Sequence, residues 1–126
     1  MEIKLSKTFK ASAEKLYQAF LNSEEHSRMT GGIAVISPQA GSVFTAWDGY
    51  ISGKILELIP FKKIVQLWRT TEFPADQPDS KVEITFTSVP EGTTVTIIHS
   101  ELTDSDKHYK KGWQDFYFKP MARYFK

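Results

Sequence analysis

In GWQDFYFKPMARYF, residues 112–125, the side chains Trp113, Phe116, Tyr117 and Phe118 put four aromatic rings into six positions. The periodicity predicts a helix from about Asp104 to Phe125. With Trp113 set at zero and about 100° per residue, Tyr109, Phe116, Tyr117, Pro120 and Tyr124 fall within about 60° of it. Phe118 and Phe125 fall near 120–140°, off that arc, and Lys111, Asp115, Lys119 and Ala122 form the polar back. Pro120 lacks a backbone donor and clashes with the Phe116 carbonyl, which predicts a kink or a loosened turn there. Aromatic stripes at helical spacing usually pack a core, but rings facing a sheet can also line a pocket.

Upstream, the chain supplies that sheet. IKLSKTF (3–9) places Ile3, Leu5 and Phe9 on one face of a strand. In SAEKLYQAFLNS (12–23) the period changes to that of an amphipathic helix carrying Leu16, Tyr17, Phe20 and Leu21, with Ser12 as N-cap. SEEHSRM (23–29) predicts a second short helix capped by Ser23 and broken by TGG. IAVIS, then VFTAWDGYISGKILELIP with its Asp48-Gly49 hairpin signal, then KIVQLWRTTEF read as strands. PADQPDS is a polar loop, and KVEITFTSV and TTVTIIHSEL form a hairpin across PEG. Strands joined by short turns, with helices at both ends, predict an α+β antiparallel fold.

Composition narrows the functional classes. The chain has 126 residues, suited to one domain spanning 1–126. Sixteen basic residues against 15 acidic ones leave a net charge of +1, without the basic stripe that nucleic acid requires. The absence of cysteine excludes disulfides, thiol catalysis and Cys-based zinc sites, and suits a cytoplasmic setting. No apolar signal segment and no membrane span are expected. Three scattered histidines lack metal-ligand spacing, no Gly-x-Ser-x-Gly elbow is present, and the Gly31-Gly32 pair lacks the residues of a phosphate loop. No metal or cofactor is expected.

Three segments carry a resemblance: FKASAEKLYQAFLNSEEH (9–26), AGSVFTAWDGYISGKILELIPFKKIVQLWR (40–69) and HYKKGWQDFYFKPM (108–121). Together they resemble the START-like (SRPBCC, helix-grip) superfamily, in the branch related to the C-terminal domain of the activator of the Hsp90 ATPase. The resemblance implies a curved seven-stranded antiparallel sheet wrapped around a long C-terminal helix, with two short helices after the first strand. It also implies an apolar cavity between sheet and helix, since superfamily members bind lipids, sterols, polyketides or other apolar molecules and some are enzymes. The eukaryotic relative uses this unit within a co-chaperone.

Expected cavity residues are Phe20, Trp47, Trp68, Phe86, Ile97, His99, Glu101, Trp113, Phe116, Tyr117 and Met121. His99 shares strand parity with Val95, Ile97 and Glu101. A histidine beside a carboxylate in an apolar pocket could act as a base in a cyclase- or dehydratase-type enzyme, or be a hydrogen-bonded core residue. His26 and His108 read as solvated. Arg69 suits either a pocket mouth or a surface ion pair. Three functions follow: a non-enzymatic module for a lipid-like or aromatic small molecule, a stress-linked domain binding an Hsp90-family chaperone, or an enzyme using His99 and Glu101. For the second, Phe118 and Phe125 are the expected partner surface.

Overall fold

The protein is described here, over residues 1–126, by a computed structural model. The chain runs β1 (Ile3–Phe9), α1 (Ala13–Leu21), α2 (Ser23–Thr30), β2 (Val43–Ala46), β3 (Ile51–Ile59), β4 (Lys63–Thr70), β5 (Ser80–Val89) and β6 (Gly92–Ser100). A 3-10 turn at Asp104–Asp106 then leads into the C-terminal helix. That helix comprises α3 (Tyr109–Trp113), a π-turn (Gln114–Phe118) and α4 (Lys119–Tyr124). The strands form one antiparallel sheet in the order β1-β6-β5-β4-β3-β2.

The sheet has six strands, not seven. IAVIS contributes only the bridge Val35↔Thr45, closed by two backbone bonds of 3.0 Å. Three of its other backbone N–H groups are taken by side chains. Ala34 N donates to Ser27 Oγ and Ile36 N to Ser23 Oγ, both at 2.8 Å, and Ile33 N donates to Asp48 Oδ1 at 3.0 Å. Pro38 then ends the extended run. Ser23 therefore ties this segment to α2, and the α2 cap is Asn22, which accepts from Glu25 N at 2.8 Å. Ser12 caps α1 by accepting from Lys15 N at 3.2 Å.

Two features of β3 fit the sheet to the helix. The β3–β4 register shifts between Ile55 and Glu57, a bulge that bends the strand. At Gly53 a Cβ would lie 1.9 Å from the Leu67 carbonyl oxygen and 2.8 Å from the Phe44 ring, so only glycine lets β3 and β4 approach there.

One sheet face carries Ile3, Leu5 and Phe9 of β1, Val82, Ile84 and Phe86 of β5, and Val95, Ile97 and His99 of β6, all buried. Against it the C-terminal helix buries Tyr109, Trp113, Tyr117, Phe118 and Met121. The loosened turn expected at Pro120 is the π-turn just before it: Lys119 N reaches back to Gln114 O, and Pro120 sits in the first turn of α4, where its missing donor costs little.

The π-turn also re-phases the helix. Its i→i+5 bonds give roughly 4.4 residues per turn, or about 80° per residue, which swings Phe116 away from Trp113's face and brings Phe118 back toward it. Phe116 is 56% exposed and Phe118 only 5%. Phe118 packs edge-on against Phe9, ring centroids 5.6 Å apart. The expectation that Phe118 forms a partner surface is therefore corrected: it is a core residue. Phe125 is half-buried and packs on the same core.

Candidate functional site

Between helix and sheet, most of the space is filled by rings. Phe20 of α1 stacks on Tyr117, with ring centroids 5.9 Å apart. Trp113 lies 4.8 Å from Tyr117 and 5.8 Å from Trp68. The void left among Phe20, His26, Ile64, Trp113 and Tyr117 is about 10 Å³, marginal for even one water.

The open volume lies instead at the N-terminal end of the helix. A cavity of about 690 Å³, open to solvent on one side, is bounded by α3 and the π-turn, the β2–β3 turn, and Glu72 just beyond β4. Trp68 of β4 and Trp113 of α3 line it, and Phe116 stands at its edge against Trp47, 5.6 Å between centroids. Trp47 reaches the cavity from the four-residue turn between Ala46 and Ile51, where Trp47, Asp48 and Gly49 all have positive φ. Its ring lies on Gly32: a Cβ there would be 2.5 Å from the indole carbon Cε3. The indole N–H groups of Trp47 and Trp68 are buried in the cavity wall and have no hydrogen-bond partner. Each such orphan costs about 1–3 kcal/mol.

One wall is polar. The Tyr50 hydroxyl donates to Glu72, and Tyr109 and Thr70 share a hydroxyl bond of 2.5 Å. Glu72 N in turn donates to Thr70 Oγ1 at 3.2 Å. His108 packs over the Tyr109 ring at 4.1 Å and places Nε2 3.8 Å from Glu72. Burial, with the Glu72 carboxylate adding to it, pushes the Tyr50 phenol well above its ordinary value, and burial also raises that of Tyr109. Both phenols stay protonated at neutral pH. At the rim, Asp115 is held between Lys111 at 3.2 Å and Lys119 at 3.0 Å.

His99 lies behind this cavity and is fully buried. Trp113 Nε1–H donates to its Nδ1 at 3.0 Å, which puts the ring proton on Nε2, 2.8 Å from Ser80 Oγ. Ser80 spends its own hydroxyl proton on the Trp68 carbonyl at 2.7 Å. Burial drives the His99 pKa down to about 3, against a smaller opposing pull from Asp106. A neutral imidazole with both nitrogens engaged has no lone pair for a substrate. Glu101 does not join it: β6 ends at Ser100, and Glu101, at φ 59°, turns the chain and leaves its side chain exposed. The expected His99–Glu101 pair is corrected on that geometry, and the acid–base enzyme that needed it goes with it.

His26 is another correction, being buried rather than solvated. Its Nδ1–H donates to Phe20 O at 3.0 Å and its Nε2 accepts from the Tyr117 hydroxyl at 2.9 Å. Burial lowers its pKa, partly offset by the Phe20 bond, and raises that of Tyr117. Arg69 lies outside the cavity, where it binds Asp79 Oδ1 at 2.9 Å and the Gln77 and Pro74 carbonyls at 3.0 and 3.1 Å.

A sheet gripping a ring-rich C-terminal helix matches a known family model. Residues 10–126 match the model described as activator of Hsp90 ATPase homolog 1-like protein. The chain belongs to that family. Among the relatives of this chain is the activator of 90 kDa heat shock protein ATPase homolog 1 of Homo sapiens. It is 28% identical over 125 residues, which cover 98% of this chain and 37% of that protein. The chain thus spans well under half the length of that relative. In structure it is similar to an HSP90 activator from Plasmodium falciparum, with a TM-score of 0.87, 22% identity, and coverage of 98% and 95% of the two chains. The Aha1 dimer from Colwellia psychrerythraea gives 0.83 at 22% identity, covering 99% and 96%. At such identities these likenesses show the fold, which is START-like.

Of the expected cavity residues, Trp47, Trp68, Trp113, Phe116 and Tyr117 line the open volume, and Phe20 lines only the small void. Phe86, Ile97, His99 and Met121 line neither and belong to the packed core, while Glu101 is at the surface. The polar wall of Tyr50, Glu72 and His108 was missing from the expectation. Its signal is present in sequence: Tyr50 flanks the Asp48-Gly49 turn opposite Trp47, and Thr71 N binds Tyr50 O at 3.0 Å, which brings Glu72 alongside.

Proposed function

We propose that the chain is a non-enzymatic START-like module, one domain over residues 1–126, that binds an apolar or aromatic small molecule in the cavity at the N-terminal end of its C-terminal helix. The observation that carries this is the cavity itself, about 690 Å³ and lined by indole and phenol rings, against about 10 Å³ for the void beneath the middle of the helix. Ligand pockets of small molecules run from about 300 to 1,000 Å³ and are mostly apolar with a few polar groups, as here. Each 100 Å² of apolar ligand surface removed from water would contribute about 2.5 kcal/mol. Native mass spectrometry and a thermal-shift screen of fatty acids, sterols and polycyclic aromatics test this. Retained ligand or saturable stabilisation is expected, and an empty result across the panel would remove the proposal.

A chaperone-directed role is a second reading, favoured by the family and by apolar side chains left open at one sheet edge. Ile33, Val35 and Val43 are 64%, 63% and 75% exposed around the Val35↔Thr45 bridge, where Phe118 can no longer serve. Co-purification with an Hsp90-family chaperone and stimulation of its ATPase, both lost in a Val35→Asp/Val43→Asp variant, would support it. Both readings suit the cytoplasm. No interaction with the chaperone would end the second.

A further inference from the structure

The cavity has a chemical polarity that its apolar floor conceals. Four ionisable side chains with charge stand on its wall: Glu72, His108, Lys111 and Asp115. Lys111 and Asp115 neutralise one another at 3.2 Å, and Lys119 adds a second cation to Asp115 at 3.0 Å. Glu72 has no such match. Its nearest basic group is the His108 ring at 3.8 Å, a charge partner only when the imidazole is protonated. With His108 neutral, Glu72 is the one formal charge of the wall that lacks a counter-ion. Its carboxylate is fixed by the Tyr50 hydroxyl, so the charge is held at one place.

Around that carboxylate the wall offers ring faces. Tyr50, Trp47 and Phe116 line the cavity as its more open rings, and Trp68, Tyr109 and Trp113, each at most 5% exposed, form its floor. Aromatic faces are electron-rich and attract cations, the more so where water is thinned out. Rings plus one fixed carboxylate make a receptor for an organic cation. The Glu72 side chain is 57% exposed and so stands at the cavity's solvent side, where an anion would meet its charge and the negative faces of the rings.

Resting on the cavity proposed above as a ligand site, we propose that its ligand class is the hydrophobic organic cation: an aromatic or polycyclic body carrying an amine or quaternary ammonium that docks against Glu72. Tyr50 sets the carboxylate's position, and Trp47, Trp68 and Trp113 bury the body.

The test uses three probes with one naphthalene body: (2-naphthylmethyl)trimethylammonium, 2-naphthylmethanol and 2-naphthylacetate, titrated into the full chain by indole fluorescence at pH 8. Affinity should fall in the order cation, neutral, anion, with the cation about tenfold tighter than the alcohol. Glu72→Gln keeps an acceptor for Tyr50 and should erase that preference while the alcohol binds unchanged. If the alcohol binds but the cation binds no better, or if Glu72→Gln leaves the ratio intact, the cation assignment fails and the apolar site stands. If none of the three binds, both fall.

Discussion

His99 shows how a titratable residue becomes part of a core. Trp113, Ser80 and the Trp68 carbonyl dictate its tautomer, and burial keeps it neutral down to about pH 3. In the unfolded chain the same imidazole takes up a proton near its ordinary value of 6.5. Below that pH the unfolded state therefore binds more protons, so this histidine's contribution is complete above 6.5 and is lost as pH falls toward 3. At 1.36 kcal/mol per pH unit, about 2 kcal/mol goes between pH 6.5 and 5. Urea unfolding at those two pH values should show it, and His99→Gln should flatten the slope to the part left by His26. His99 could be picked out from strand parity, but its role could not, because its partners lie on β5 and on the helix. His26 was hidden by its neighbours in SEEHSRM. The burial of His26, Met29 and Thr30 at i, i+3 and i+4 was the available signal, outweighed by the charges of Glu24, Glu25 and Arg28.

Among the elements, the C-terminal helix carries the sharpest lesson. Uniform 100° steps place Phe116 on the core face and Phe118 off it, and the π-turn exchanges them. Stability measurements separate the two phasings. Phe118→Ala empties a buried site against Phe9 and should cost about 3–5 kcal/mol, whereas Phe116→Ala should cost under about 1 kcal/mol. Equal losses, or a larger loss at Phe116, would mean that the helix keeps a regular register. Pro120 marked the place of the irregularity in the sequence but not its form: a kink, a 3-10 turn and a π-turn all relieve the same clash. In the sheet, alternation gave every strand with a complete ladder. It overstated IAVIS, three of whose backbone N–H groups are claimed by the side chains of Ser23, Ser27 and Asp48, which strand periodicity does not weigh.

For the whole molecule, element order and antiparallel topology were legible because each element has a clear period and a short connection. The position of the cavity was not. Rings from α1 fill the centre beneath the helix, so the open volume is displaced to the helix's N-terminal end, where Tyr50, Glu72 and His108 join it through turns. Gly112 offers a direct handle on that volume. It lines the cavity, and a Cβ built there meets no atom within 4 Å. Gly112→Phe should fill part of the cavity while replacing a poor helix former, leaving stability unchanged or raised by a few tenths of a kcal/mol. The decisive measurement is a fluorescence titration of 2-naphthylmethanol into the native chain and into Gly112→Phe, with both melting temperatures recorded. A ligand cavity at this place predicts saturable binding to the native chain and at least about tenfold weaker binding to a variant that melts no lower. No binding to the native chain, or equal affinity in the filled variant, would contradict it.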